Sequence, residues 1–112
     1  MTNGRRARSE ALDAEVLQDV AATFAMLATP VRVHLLWLLA QEGRDVGTLA
    51  EETGQSLATV SHHLIKLKLA GLVRDQRDGK RRIYVIDDPH VVELLQAGVE
   101  ARLAPKPRRR HA

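Results

Sequence analysis

Residues 46–71 read VGTLAEETGQSLATVSHHLIKLKLAG, and the punctuation inside this stretch decides the fold. Two helix-compatible runs are separated by Gly54-Gln55-Ser56. Gly54 can close the first run in a left-handed conformation, and Ser56 can cap the second by accepting from a free amide of its first turn. The first run, Val46 to Thr53, points Val46, Leu49 and Ala50 inward. The second, Leu57 to about Ala70, carries its apolar stripe at Leu57, Val60, Leu64 and Leu67, and stops at Gly71. That spacing is helical. Two short helices joined by a glycine-containing turn make a helix-turn-helix.

At 100° per residue, Thr59, His62 and Lys66 point away from the apolar stripe, with Ala58 and His63 flanking them. This face offers a hydroxyl, two imidazoles and an ammonium, and no carboxylate. A helix face that is merely solvated mixes both charge signs. This one can donate to base edges and phosphates, and Ser56 with the free amides at the helix start can hold a phosphate. His62 and His63 are adjacent, so their side chains diverge by about 100° and are poorly placed to chelate one metal together.

Downstream, Leu72 to Arg77 and Arg81 to Ile86 read as two strands, with Asp78-Gly79 between them as a two-residue hairpin signal. Arg77, Lys80, Arg81 and Arg82 flank the turn, with Asp78 the only opposing charge close in sequence. A projecting basic hairpin suits a backbone or minor-groove contact beside a helix in the major groove. Upstream, Leu12, Val16, Val20, Phe24 and Leu27 mark a first helix. Thr29-Pro30 opens a second, which runs from about Val31 to Gln41, is apolar almost all round, and ends at Gly43. A last helix starts at Asp88-Pro89, carries Val91, Val92, Leu94, Leu95, Val99 and Leu103, and is ended by Pro105 and Pro107. The expected class is mainly α with a small β-hairpin, in the order α-α-α-α-β-β-α: a winged helix-turn-helix.

The 112 residues suffice for one domain. It is expected over residues 11–104, between a disordered basic arm (1–10) and a disordered basic tail (105–112). Phe24, Trp37 and Tyr84 are the only aromatic residues, so the core is expected to be aliphatic. There is no cysteine, which excludes disulfides, thiolate ligands and a cysteine nucleophile. The net charge is only +3, but it is segregated. Residues 55–82 carry seven basic side chains against two acidic ones, whereas 9–54 and 83–105 hold three against twelve. A basic segment inside an acidic body is the footprint of a polyanion-binding surface. No secretory signal or membrane span is visible, and a cytoplasmic, nucleoid-associated protein is expected. No triad, phosphate loop or paired catalytic carboxylates stand out; Glu51-Glu52 reads as solvated surface. No enzymatic activity and no cofactor are expected.

Several segments in this order closely resemble the ArsR/SmtB family of bacterial repressors. They are Leu27 to Arg32 before Leu35 to Leu39, Leu49-Ala50, Ser56 with Val60-Ser61-His62-His63-Leu64, Leu67, Ala70-Gly71-Leu72-Val73, Asp78-Gly79-Lys80 and Tyr84. The resemblance covers about residues 15 to 100. It implies a homodimer paired through the first and last helices, and repression by binding double-stranded operator DNA, relieved by a metal or small-molecule inducer. By position, Ser56, Thr59, Ser61, His62 and His63 match the family's recognition helix. One family metal site uses a cysteine pair, which is absent here. Another begins with an Asp-x-His, matched by Asp88 and His90, but its second half falls on Ala101 and Ala104. No metal site is therefore assigned. The alternatives are a nickel, cobalt or zinc sensor with a non-standard site using Asp88, His90, Glu100 or His111, and a winged helix used only for protein contacts. The positive recognition segment argues against the last.

Overall fold

In the computed structural model, which describes residues 11–105, every helix begins on a side chain that accepts from its first turn. Asp13 accepts from the Val16 amide to start α1 (Ala14–Met26), and Thr29 from the Arg32 amide to start α2 (Pro30–Gln41). Asp45 starts α3 (Val46–Thr53), Ser56 starts α4 (Leu57–Leu69), and Asp88 starts α5 (Pro89–Leu103). Each such cap satisfies a donor that the helix itself leaves open. Pro30 and Pro89 occupy first-turn positions, where a missing N–H costs nothing. The expected arm (1–10) and residues 106–112 of the expected tail, including His111, lie outside the described residues.

The two glycines that close α3 and α4 do so in the same way. Gly54 and Gly71 take φ of 72° and 80°. The amide of the next residue then reaches back into the helix, Gln55 to the Ala50 carbonyl at 3.1 Å and Leu72 to the Leu67 carbonyl at 3.0 Å. This double closure redirects the chain within two residues. It sets α4 against α3 and sends Leu72 and Val73 directly into the core.

Strands β1 (Val73–Asp78) and β2 (Arg81–Ile86) form an antiparallel hairpin, with Val73 opposite Ile86 and Asp78 opposite Arg81. The turn is therefore Gly79-Lys80, one residue later than Asp78-Gly79, because Asp78 is still paired. Gly79 has φ 67° and Lys80 does not have positive φ, the pattern of a type II′ turn with glycine first. A third short segment joins the sheet: Arg44 and Tyr84 exchange both backbone hydrogen bonds, at 3.1 and 2.9 Å. This contact explains Gly43. A Cβ there would sit 2.8 Å from Ile83 Cγ2, 2.9 Å from Val85 Cγ1 and 3.1 Å from the Tyr84 carbonyl. Gly43 is the point where β2 crosses the chain, and α2 itself ends at Gln41.

The core is aliphatic, as expected. Leu35 and Leu36 of α2 are fully buried and Leu39 nearly so, against Leu49, Val60, Leu64, Leu67, Val73, Val91 and Leu95. Leu57 departs from its expected place on the inner stripe and is 59% exposed, because at the first position of α4 it lies beyond the edge of the core. Arg44 closes the C-terminus of α2 by donating to the Leu38 and Glu42 carbonyls, where a cation suits the helix dipole. It also pairs at 2.7 Å with Glu52, which is on the surface as expected. Among the described residues no single helix is long and apolar enough to cross a membrane. α1 and α2 together would reach that length but meet at 90°.

Most of α1 stands apart from this core, and only Met26 at its end packs against it. None of its residues is buried, and Val16, Leu17, Val20 and Phe24 along it are each between 42% and 53% exposed. Leu94 (41%) and Leu103 (78%) of α5 are exposed as well. An apolar groove lies between Phe24, Leu27, Val33, Leu94 and Val99.

Candidate nucleic-acid interface

The outer side of α4 is defined by what its inner side buries. Val60, Leu64 and Leu67 are completely inaccessible. The residues most nearly opposite them are Ala58, His62, Ile65, Lys66 and Leu69, all exposed. Thr59, Ser61 and His63 lie on the shoulders and are half-buried. The outward ridge is thus centred on His62, with Thr59 and His63 to one side. Ser56 sits at the entrance to the helix, where its Oγ accepts from the Thr59 amide at 3.0 Å and donates to Thr59 Oγ1 at 2.9 Å. Thr59 keeps its own hydroxyl proton for an external acceptor.

His63 is oriented from within the fold, by a residue the sequence reading did not single out. Arg32 anchors its Nε–H on the Met26 carbonyl at 2.7 Å and brings Nη1 to 3.4 Å from His63 Nδ1. With an arginine donating to Nδ1, the neutral ring carries its proton on Nε2 and presents a donor to the outside. Partial burial, then the charges of Arg32, His62 and Lys66, hold the imidazole below its ordinary pKa of 6.5. The only sequence signal was an arginine in the first turn of α2, where the helix dipole disfavours a cation.

This fixes the sign of a pH effect. Below about pH 6.5 the unfolded chain takes up a proton at His63 that the fold resists, so the contribution of neutral His63 is lost as pH falls. His63→Gln is expected to shallow the drop in the urea midpoint between pH 6.5 and 5 while leaving the midpoint's pH dependence above 7 unchanged. An identical pH profile for the variant would contradict this.

The wing is tied to the helix-turn-helix by ion pairs. Asp78 was expected to be the only opposing charge close in sequence, but the wing's arginines pair instead with Asp75, in β1 itself, and with Asp45, far off in the chain. Asp45, whose Oδ1 caps α3 through the Thr48 amide at 2.8 Å, uses Oδ2 to accept from Arg81 Nε at 2.9 Å and Nη2 at 2.8 Å. Those bonds, the Thr48 amide first and Arg81 after, lower the Asp45 carboxyl to about 2. Asp75 pairs with Lys68 of α4 at 2.7 Å and with Arg82 at 3.1 Å, and Lys68 is the main cause of its lowered pKa. Among the described residues Lys66, Arg77 and Lys80 make no ion pair. Arg77 and Arg82 face each other across the strands, like charges that an anion would reconcile.

Asp45→Asn keeps a good capping oxygen and removes the charge that holds Arg81, whereas Asp45→Ala removes both. The alanine variant is expected to unfold at a clearly lower denaturant concentration, through loss of the cap. The asparagine variant should stay near wild type above pH 4, since Arg81 is exposed and its pair is screened. Chemical denaturation checks both. The wild-type ion pair persists above pH 3.8 and is lost as pH falls through about 2. Equal losses in the two variants would refute the division of labour between Oδ1 and Oδ2.

On the last helix, Asp88 Oδ1 accepts from the His90 amide at 3.0 Å and lies 3.3 Å from its Nδ1. Among the described residues no group of three or more His, Asp or Glu side chains comes together in metal-binding geometry.

A recognition helix with a cationic, carboxylate-free outer face, beside a basic two-stranded wing, defines a winged helix-turn-helix DNA-binding transcription regulator rather than an enzyme. Residues 29–75 match the family described as bacterial regulatory protein, arsR family. The chain is 38% identical over 96 residues to the HTH-type transcriptional regulator NmtR of Mycobacterium tuberculosis, covering 86% of this chain and 80% of that protein. It is 43% identical over 76 residues to KmtR of the same organism, spanning 68% of this chain and 58% of that longer relative. Its fold superposes, with a TM-score of 0.71 and 34% identity, on the homodimeric winged helix-turn-helix DNA-binding domain Mb0332 of Mycobacterium bovis; the match covers 86% of this chain and 93% of that one. The chain belongs to the ArsR family of bacterial regulators.

Proposed function

We propose that this protein is a repressor that binds a palindromic operator as a homodimer, with α4 in the major groove and the wing on the adjacent backbone. The observation that carries this reading is the composition of the α4 outer face: Ser56, Thr59, Ser61, His62, His63 and Lys66 offer donors throughout and no acid. Arg77, Lys80, Arg81 and Arg82 extend the same charge along the wing. The basic ends of the chain, residues 1–10 and 105–112, add sequence-independent attraction to DNA, and operator binding places the protein with the nucleoid in the cytoplasm. The exposed apolar residues of α1 and α5 form the dimer surface, supported by the homodimeric state of Mb0332.

Selection of bound DNA from a random pool tests the reading. The expected product is an imperfect palindrome whose half-sites place two recognition helices about 34 Å apart, one helical turn. Failure to enrich any sequence would refute it.

The wing cations that make no ion pair among the described residues have a separate signature. Lys80→Ala and Arg77→Ala should weaken cognate and random DNA alike, each lowering the slope of log affinity against log salt by about 0.9. Arg82→Ala should lower it less, because Arg82 must share Asp75 before it reaches a phosphate. A Lys80→Ala variant that loses cognate but not random binding would assign that residue to base readout instead.

A further inference from the structure

The outward ridge of α4 holds more than polar groups. Ala58, His62 and Ile65 follow one another along it at intervals of four and three residues, all exposed, and Ile65 is 58% accessible. This isoleucine belongs neither to the buried core nor to the half-buried residues packed against it. Its surroundings mix cations with apolar groups, and Leu69, four residues further along the helix, is 83% exposed. Ile65 borders a cleft of about 590 Å³ whose other walls are Ser61, Lys68, Leu69, Arg82 and Tyr84, and Lys66 is its neighbour in the chain. The Asp75 carboxylate of the wing is taken up by Lys68 and Arg82. Exposed apolar side chains flanked by Lys66, Lys68 and Arg82 fit a partner that is anionic at its edges and carries isolated apolar groups at its centre. The major groove is such a surface: phosphates line its rims and the thymine C5-methyl projects from its floor.

We infer that Ile65 and Ala58 are specificity-determining residues that each pack against a thymine methyl, on either side of the base edge contacted by His62. Ala58 and Ile65 are seven residues apart, about 10.5 Å along the helix axis, or roughly three base-pair steps. Each half-site is therefore expected to require thymines on both sides of a central base. This goes further than the reading of α4 as the major-groove helix and rests on it.

The test replaces thymine by deoxyuridine, one position at a time, in the operator recovered by selection. That exchange removes a methyl group and leaves every hydrogen-bonding edge intact. The wild-type protein is expected to lose about fourfold in affinity at each sensitive position, the value of one methyl withdrawn from water. Ile65→Ala should bind the thymine operator about as weakly as wild type binds the deoxyuridine operator. It should be indifferent to deoxyuridine at the position Ile65 covers, and Ala58→Gly should be indifferent at the other. Alanine is the better helix former and Ile65 is exposed, so the variant folds; circular dichroism verifies this. Specific binding that is insensitive to deoxyuridine everywhere overturns the inference and leaves the function standing. So does an Ile65→Ala variant with undiminished operator affinity, which would mean that the ridge faces a protein instead. If no sequence is selected at all, the inference and the reading beneath it fail together.

Discussion

Replacing Phe24 and Leu94 together by aspartate is expected to convert the dimer to monomers and to reduce operator affinity by at least a hundredfold. Phe24 on α1 is 53% exposed and Leu94 on α5 is 41% exposed. They line the same apolar groove, which is open to solvent in a single chain. Neither side chain supports the internal core, so the monomer should keep its fold. A carboxylate at either position would have to be desolvated in the dimer, where nothing compensates it. The effect on DNA is larger than that of any single contact. Two linked recognition helices bind the second half-site at millimolar effective concentration, and loss of linkage removes a factor of about 10² to 10⁴. Sedimentation velocity and operator titration measure the two consequences. A double variant that remains dimeric would place the subunit interface elsewhere. A monomer that retains full affinity would show that one subunit reads the whole site.

The second large effect is on stability. Gly43→Val is expected to destabilise the protein by at least about 1–3 kcal/mol, the usual cost of forcing extra methyl groups into an occupied space. Ile83 Cγ2 and Val85 Cγ1 would lie under 3 Å from the first added carbon, and both belong to stiff, β-branched side chains. The Tyr84 carbonyl at 3.1 Å is backbone paired with Arg44 and cannot move without breaking that bridge. For a domain of this size each kilocalorie lowers the melting temperature by about 4–8 °C, so a fall of 10 °C or so is expected. Gly47→Ala is the control. Its added carbon meets only Asp45 Oδ1 at 3.8 Å, and alanine inside α3 should raise stability slightly. Thermal unfolding of the two variants side by side decides it, and a Gly43→Val protein that melts with wild type would disprove the close approach.

Local chemistry was legible in the chain wherever neighbours in sequence settle a conformation. Ser56, Thr29 and Asp88 are capping residues next to apolar periods, and Gly54 and Gly71 end helices by a backbone geometry that other residues resist. The α3–turn–α4 unit could therefore be read with boundaries of one residue. The aliphatic core followed from helical spacing for the same reason. The absence of acid from α4 is a property of composition, so the character of its outer surface was also open to inspection.

What the sequence alone could not determine depends on groups far apart in the chain. Asp45 and Arg81 are 36 residues apart, and Arg32 and His63 are 31 apart. No period or motif links them, and only the packing of α2, α3 and the wing around one core brings them within hydrogen-bond distance. The same packing pairs Arg82 with Asp75, exposes Leu57, and leaves Arg77 and Lys80 without an ion pair among the described residues. It also gives Gly43 its reason, since a glycine that looks like a helix stop proves to be the crossing point of β2. Sequence determined which residues make each element, because those choices are made over three or four neighbours. Tertiary structure decided which charges are spent inside the molecule and which face outward, because an ion pair depends on distance in space and not along the chain.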